Sequence, residues 1–301
     1  MAKSKGGSVV DALLETGEYR IRGLTRNVSS DKAKALQAKG VEMVQADLNN
    51  KDELKRAFEH ADVVFGITNF WDPEVLKNPS LEAKQGKNLA DAAKENHVKW
   101  MLWSSLPNCA KGSGGKIKHV MHFDGKNDVE EYINSIGLPA TFIYVGCYMT
   151  NFGPLLPIVP NDDGTQTLMI PEVKEDTYLD LVDTAGDTGR TVKAVLQNKD
   201  KFVGQKVPVV GDRLTLKQIA DTFTNVTGKT TKFQTMPKEL LEGPFSYLNN
   251  DEFLDMLTWF RDYGYYGNIY GSNGSGALES AANSVGFRGT TFEEFLRKNA
   301  Q

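Results

Sequence analysis

Cysteine is nearly absent. Only Cys109 and Cys147 occur in 301 residues, which excludes a disulfide-rich secreted scaffold and a thiolate zinc site and suits the reducing cytosol or nucleus. Long apolar runs are missing as well. No stretch approaches the ~20 residues that cross a bilayer, and Met1–Lys5 has no signal-peptide character, so no membrane is expected as a partner. A strong charge of one sign is also lacking: the formal net charge of −4 gives no electrostatic footprint for direct nucleic-acid binding. Among catalytic signatures there is no P-loop, no Gly-x-Ser-x-Gly elbow, no His-Glu-x-x-His and no Cys-x-x-Cys. The absence with most consequence lies near the start. No apolar strand and no Gly-x-Gly-x-x-Gly turn stand ahead of the first helical pattern.

What is present is ordinary for a globular protein, with 40% hydrophobic and 25% charged residues. The length suits a doubly wound domain with a smaller appended part. Gly6–Leu14 already carries apolar residues at helical spacing. Strands are predicted over Tyr19–Thr25, Val41–Ala46 and Asp62–Thr68 with helical patterns between them, and that alternation is βαβ. Asn49 reads as the N-cap of a helix over Lys51–Glu59. A helix over Ser80–Asn96, a strand over Lys99–Ser105 and a Gly/Lys/Ser loop over Lys111–Lys118 follow. Next come a helix over Phe123–Ser135, stopped at Gly137, and a strand over Pro139–Val145.

The pattern then changes. Gly153–Gly164 is rich in proline and glycine and reads as irregular. Strands are expected over Leu168–Val173 and Lys206–Val210. Helices are expected over Asp187–Asn198, Thr215–Val226 and Thr291–Lys298, with a glycine- and tyrosine-rich loop over Gly264–Gly276. The expected class is α/β. Residues 1–150 make a doubly wound parallel sheet of Rossmann type with its first strand absent. Residues 151–301 make a smaller α+β part that shares the core.

In open α/β sheets ligands bind at the carboxyl ends of the strands. Arg26, Asn27, Ser29 and Ser30 follow the strand that ends at Thr25. A fold that takes NAD places an acid here for the ribose hydroxyls. An arginine with two hydroxyls suits a 2′-phosphate, hence NADP over NAD; a solvated arginine is the competing reading. Asp47, beside Leu48, can accept from an adenine amine or cap its own loop. Thr68 and Asn69 can bond ribose and phosphate, with Phe70 as an apolar wall, or form a turn over a buried aromatic. Beyond Ser104-Ser105, His122 and Lys126 keep the spacing of the Tyr-x-x-x-Lys pair of short-chain dehydrogenases, on one helix face. There the lysine binds ribose and lowers the tyrosine pKa. Here histidine stands in the tyrosine position. It is an acid near neutral pH, but a histidine at a helix start is more often a cap or surface group, and no catalytic residue is assigned.

The runs Gly-Gly-Ser-Val-Val (6–10), Arg-Gly-Leu-Thr-Arg-Asn (22–27), Gln-Ala-Asp-Leu (45–48) and Gly-Ile-Thr-Asn-Phe-Trp (66–71) carry a resemblance. So do Gln-Gly-Lys-Asn-Leu (85–89), Ser-Ser-Leu-Pro-Asn (104–108), His-Phe-Asp-Gly-Lys (122–126) and Asp-Thr-Gly-Arg (187–190). In this order the chain resembles the NmrA-like family, an atypical branch of the short-chain dehydrogenase/reductases. The resemblance implies NADP(H) as cofactor and a redox sensor or transcriptional co-regulator without efficient catalysis, since the active-site tyrosine is missing. It implies a protein partner such as a transcription factor or signalling enzyme.

By motif position, Arg26 through Ser30 would cradle the adenosine 2′-phosphate, and Asp47 and Leu48 would flank adenine. Thr68, Asn69 and Phe70 would line the nucleotide path, and Lys84 would offer a charge. Lys126 would hold the nicotinamide ribose, and Tyr148, Met149, Thr150 and Asn151 would close over the nicotinamide. Of the family's glycine-rich turn only Gly6 has a match, so two other classes stay open. One is an NAD(P)H-dependent oxidoreductase of small carbonyls or quinones. The other is an interaction protein without cofactor.

Overall fold

The structure is a computed structural model in which residues 5–270 and 276–299 are described. Helix α1 (Lys5–Leu14) leads to β1 (Arg22–Thr25), α2 (Asp31–Ala38), β2 (Glu42–Gln45), α3 (Lys51–Ala57) and β3 (Val63–Gly66). A short α4 (Pro73–Lys77) and the long α5 (Ser80–Glu95) lead to β4 (Trp100–Ser105), α6 (Cys109–Gly112), α7 (Met121–Ser135) and β5 (Ala140–Val145). Local chemistry sets the boundaries. Ser30 caps α2 by accepting from Ala33 N at 3.3 Å. Gly137, with φ 66°, takes the left-handed conformation that ends α7. Asn50, not Asn49, caps α3. Its side chain accepts from Asp52 N and Glu53 N, while Asn49 is held by the preceding turn through Asp47.

The second half runs β6 (Cys147–Tyr148), β7 (Ile158–Pro160), β8 (Gln166–Ile170) and β9 (Tyr178–Val182). Helices α8 (Thr184–Gln197) and α9 (Lys199–Phe202) precede β10 (Lys206–Val209) and β11 (Asp212–Thr215). Then follow α10 (Leu216–Thr227), β12 (Thr231–Thr235), α11 (Lys238–Leu241), α12 (Asp251–Tyr263), α13 (Gly276–Asn283) and α14 (Phe292–Asn299). The segment expected to be irregular holds β7, which survives its Pro160 because it is an edge strand. Part of the expected Gly264–Gly276 loop, 271–275, lies outside the described residues.

The fold is α/β with a parallel sheet. Strands β3, β4, β5 and β10 pair in parallel, and β1 and β2 form a separate parallel pair. Helices cover both faces. On one, Val9 and Leu13 of α1 and Val192 and Val195 of α8 pack with Leu102 and Ile143. On the other, Leu54, Leu89 and Val129 of α3, α5 and α7 pack with Met101 and Trp103. Strands β4 and β5 are buried at every position, whereas β1 is only half-buried along its length. Two small sheets, β6–β9–β11 and β7–β8–β12, complete the second half.

Helix α1 lies unusually close to α8. Ser8 Oγ donates to Ala185 O at 2.8 Å and accepts from Gly189 N at 2.9 Å. A Cβ on Gly189 would stand 2.1 Å from Ser8 O, so only glycine permits the approach. Among the described residues no helix is long and apolar enough to cross a membrane.

Candidate functional site

The first turn of α1 and the carboxyl ends of the parallel strands meet on one edge. Lys5 Nζ donates to Ser104 Oγ at the end of β4, at 3.3 Å, and lies 5.6 Å from the centroid of the Tyr148 ring. Burial pulls the Lys5 ammonium down to about 8, against the attraction of Glu82. Burial also raises the Tyr148 phenol to about 12.

The centre is a buried trio. Lys126 Nζ donates to Glu82 Oε1 at 2.5 Å and to Thr68 Oγ1 at 3.1 Å, and Thr68 Oγ1 donates to Glu82 Oε1 at 2.8 Å. The Lys126 and Glu82 side chains are 7% and 1% exposed. Burial lowers the Lys126 pKa, opposed by the Glu82 charge. Trp103 Nε1 donates to Lys126 O at 2.9 Å and fixes the backbone that carries this lysine. Among the described residues Glu82 Oε2 is buried without a hydrogen-bond partner.

One turn earlier on α7, the His122 ring packs against the touching pair Phe70 and Trp71, 5.5 Å from each by centroids, and its Nδ1 is paired with Glu252 Oε1. Glu252 also accepts from Met121 N and His122 N, and Asp255 accepts from Lys118 N, His119 N and the His119 ring. Both acids come from α12.

Arg26, 63% exposed at the end of β1, is not free of acid as its local sequence suggests: its Nη2 donates to Asp72 Oδ2 at 3.0 Å. Asp72 arrives from the turn after β3, where it caps α4. Asn27 accepts from Ser29 N, and Ser30 spends its hydroxyl on the α2 cap. Asp47 accepts from Asn49 N, Leu48 O accepts from Asn88 Nδ2, and Asn69 accepts from Trp71 N. Lys84 is exposed; the residue of α5 that reaches the trio is Glu82. Tyr148 is half-buried, Met149 buried and Thr150 exposed, with Asn151 Nδ2 4.0 Å from Cys147 Sγ. Gly6 lies in α1, and among the described residues a Cβ there would meet no atom outside its own helix within 4 Å.

Sequence reasoning passed over Glu82, Lys5, Asp72 and Glu252. For Glu82 a signal existed. It shares a helix face with Gly86, Leu89 and Ala93, so a carboxylate stands on the buried stripe of α5.

The model of the NmrA-like family matches residues 4–296. The chain belongs to the NmrA-like family. Over 241 residues it is 30% identical to the NmrA-like family domain-containing oxidoreductase lnaB of Aspergillus flavus, covering 76% of this chain and 72% of that protein. NmrA, a negative transcriptional regulator solved in complex with NADP, superposes with a TM-score of 0.79 at 22% identity, covering 98% of this chain and 91% of that one. The NADPH-dependent quinone oxidoreductase QOR2 of Escherichia coli, complexed with NADPH, superposes with a TM-score of 0.76 at 20% identity, covering 99% and 96%.

In this NmrA-like chain the residues present fit a dinucleotide. Cations Arg26, Lys5 and Lys126 stand along one edge, and among the described residues nothing outside its own helix adjoins the Cβ position of Gly6 and Glu82 Oε2 has no hydrogen-bond partner.

Proposed function

We propose that this chain binds NADP(H) and reports its redox state to a protein partner, such as a transcription factor or signalling enzyme, without efficient hydride transfer. One observation supports this most. Three cations from distant parts of the chain, Lys5, Arg26 and Lys126, line the carboxyl edge of the sheet, while the position of the catalytic tyrosine is held by His122. Bound dinucleotide would place its 2′-phosphate by Arg26, its pyrophosphate by the first turn of α1, and its nicotinamide ribose by Lys126. The group supplies hydride chemistry when bound. The chain supplies charge and hydrogen bonds, and it lacks the phenol that delivers the proton. General acid catalysis is worth about 10²–10⁴-fold, so its loss leaves residual turnover at most. Two cofactor states can then bias a conformation without being consumed.

Calorimetric titration with NADP(H) and NAD(H), together with NADPH absorbance against aldehydes, ketones and quinones, tests the reading. The expected result is tighter binding of NADP(H) and no steady NADPH consumption. Arg26→Ala should weaken NADP(H) about tenfold, roughly the 1.4 kcal/mol of a charge-assisted contact discounted for exposure, and leave NAD(H) alone. Equal wild-type affinities for the two would refute the 2′-phosphate assignment. Absence of binding by either would leave the interaction protein without cofactor.

A second reading, a reductase of small carbonyls or quinones, is favoured by the His122–Glu252 pair, because a carboxylate on Nδ1 orients the ring for proton donation from Nε2. Steady turnover abolished by His122→Ala would select it.

Lys5 makes the binding pH-dependent. Its charge is present below about 8 and is lost as pH rises through that value. Affinity for the anionic cofactor should therefore fall between pH 7 and 9, with the midpoint displaced upward because the bound anion favours the ammonium. In Lys5→Ala the slope should flatten. An unchanged slope in that variant would remove Lys5 from the site.

A further inference from the structure

Two amines and one carboxylate meet at the carboxyl edge of the sheet. Lys126 Nζ, from α7, takes Glu82 Oε1 of α5 at 2.5 Å and Thr68 Oγ1 at 3.1 Å. Lys5 is left with less. Among the described residues its ammonium makes one hydrogen bond, to Ser104 Oγ at 3.3 Å. Burial lowers both ammonium groups and Glu82 opposes it at both, while Lys5 adds to the lowering at Lys126. The remaining titratable neighbour, Tyr148 of β6, brings no counter-charge, because burial raises its phenol to about 12. The group therefore holds one positive charge more than it can pair. Access separates the two amines. The Lys126 side chain is 7% exposed and tied into its ion pair. Lys5 is half-buried, so a small molecule can reach it, and the half-buried Tyr148 ring stands 5.6 Å from its Nζ. A lysine desolvated beside another cation is the usual form of a nucleophilic amine.

We propose that Lys5 captures uncharged aryl aldehydes covalently, as an imine. The neutral amine attacks the carbonyl carbon, a C–N bond forms as the carbonyl π bond opens, and the oxygen takes a proton. The nitrogen then gives up its remaining proton, the hydroxyl leaves as water, and a neutral C=N bond is left. Amine and aldehyde become imine and water, with no oxidant or reductant. Ser104 Oγ, beside Nζ on a residue only 1% exposed, accepts from the amine and passes a proton to the departing oxygen. Two features select the ligand. A neutral imine removes the surplus charge from a place that disfavours it, and the Tyr148 ring offers a face to a flat aryl group. The proposal concerns the edge assigned above to the dinucleotide, but it does not need the dinucleotide to bind.

The test treats the full chain with benzaldehyde and sodium cyanoborohydride, without dinucleotide, and locates the reduced adducts by peptide mass spectrometry. The reading is the ratio of labelling at Lys5 to labelling at Lys84, which is exposed, so that the pH dependence of the reagents cancels. At pH 7 the ratio should be at least about tenfold in favour of Lys5. By pH 10 it should approach parity, since an ordinary lysine, with a pKa of about 10.4, then supplies neutral amine too. A ratio near one at pH 7 would make Lys5 an ordinary amine and overturn the proposal. A high ratio that does not fall with pH would reflect access alone, and would overturn it as well. Because no dinucleotide is present, failure here leaves the NADP(H) reading to its own titrations.

Discussion

Glu82→Ala should destabilise the chain by about 3–5 kcal/mol, the usual consequence of leaving one partner of a buried ion pair alone. Lys126 would keep only the Thr68 hydroxyl as a hydrogen-bonding side chain, in a place where 7% of its own side chain is exposed. Burial already lowers its pKa, and Glu82 is the largest opposing influence. Without that carboxylate the folded chain would hold Lys126 still more reluctantly charged, whereas the unfolded chain would hold it protonated up to about pH 10.4. The unfolded state then binds more protons, so the stability of the variant should rise with pH across the alkaline range. The double variant Glu82→Leu/Lys126→Met removes both charges and should recover most of the loss. Urea unfolding at pH 7 and pH 9 measures all three. A loss below about 1 kcal/mol in the single variant would show that the pair is hydrated and not a buried unit.

Gly189→Ala should cost about 3 kcal/mol, the upper end for overpacking. The new methyl would stand 2.1 Å from Ser8 O and 2.6 Å from Ser8 C, and a backbone does not yield as a side-chain tip does. Helix α1 must move outward, and the Ser8 hydroxyl loses its bonds to Ala185 and Gly189. The same displacement carries Lys5 off Ser104, so NADP(H) affinity should fall at least tenfold if the cofactor lies where proposed. Gly6→Ala is the internal control, because among the described residues its Cβ meets no atom outside its own helix within 4 Å, and it should not lower the melting temperature. A Gly189→Ala variant that melts with the parent would mean that α1 is not seated on α8 in solution.

The βα alternation was readable because β3, β4 and β5 are short, largely apolar runs, and because Thr215 and Gly137 are strong local signals. The capping box at Thr215 and Gln218 forms as its residue types predict. Asn49 and Asn50 were not separable in sequence, since both have the cap chemistry and only the turn through Asp47 chooses between them. Helix α12 escaped notice although Phe253, Leu257 and Phe260 recur at helical spacing and Asn250 caps it. Its identity depends on packing against the end of the sheet, where Tyr265 and Tyr266 donate to Val145 O and Tyr144 O. At the candidate site the motif residues were legible but their partners were not. Asp72 reaches Arg26 across 46 positions, and Glu82 reaches Lys126 across 44. Such pairings are made by the crossover connections, and no local pattern encodes them.

Glu252 and Asp255 stand three apart on α12, and the backbone donors they engage, Met121 and His122, Lys118 and His119, are offset by the same three. The two spacings interlock like the wards of a key. Turning α12 by one residue, about 100°, would take both carboxylates off all four donors together. The four backbone contacts from α12 to the segment that leads into α7 are therefore kept or lost as one unit.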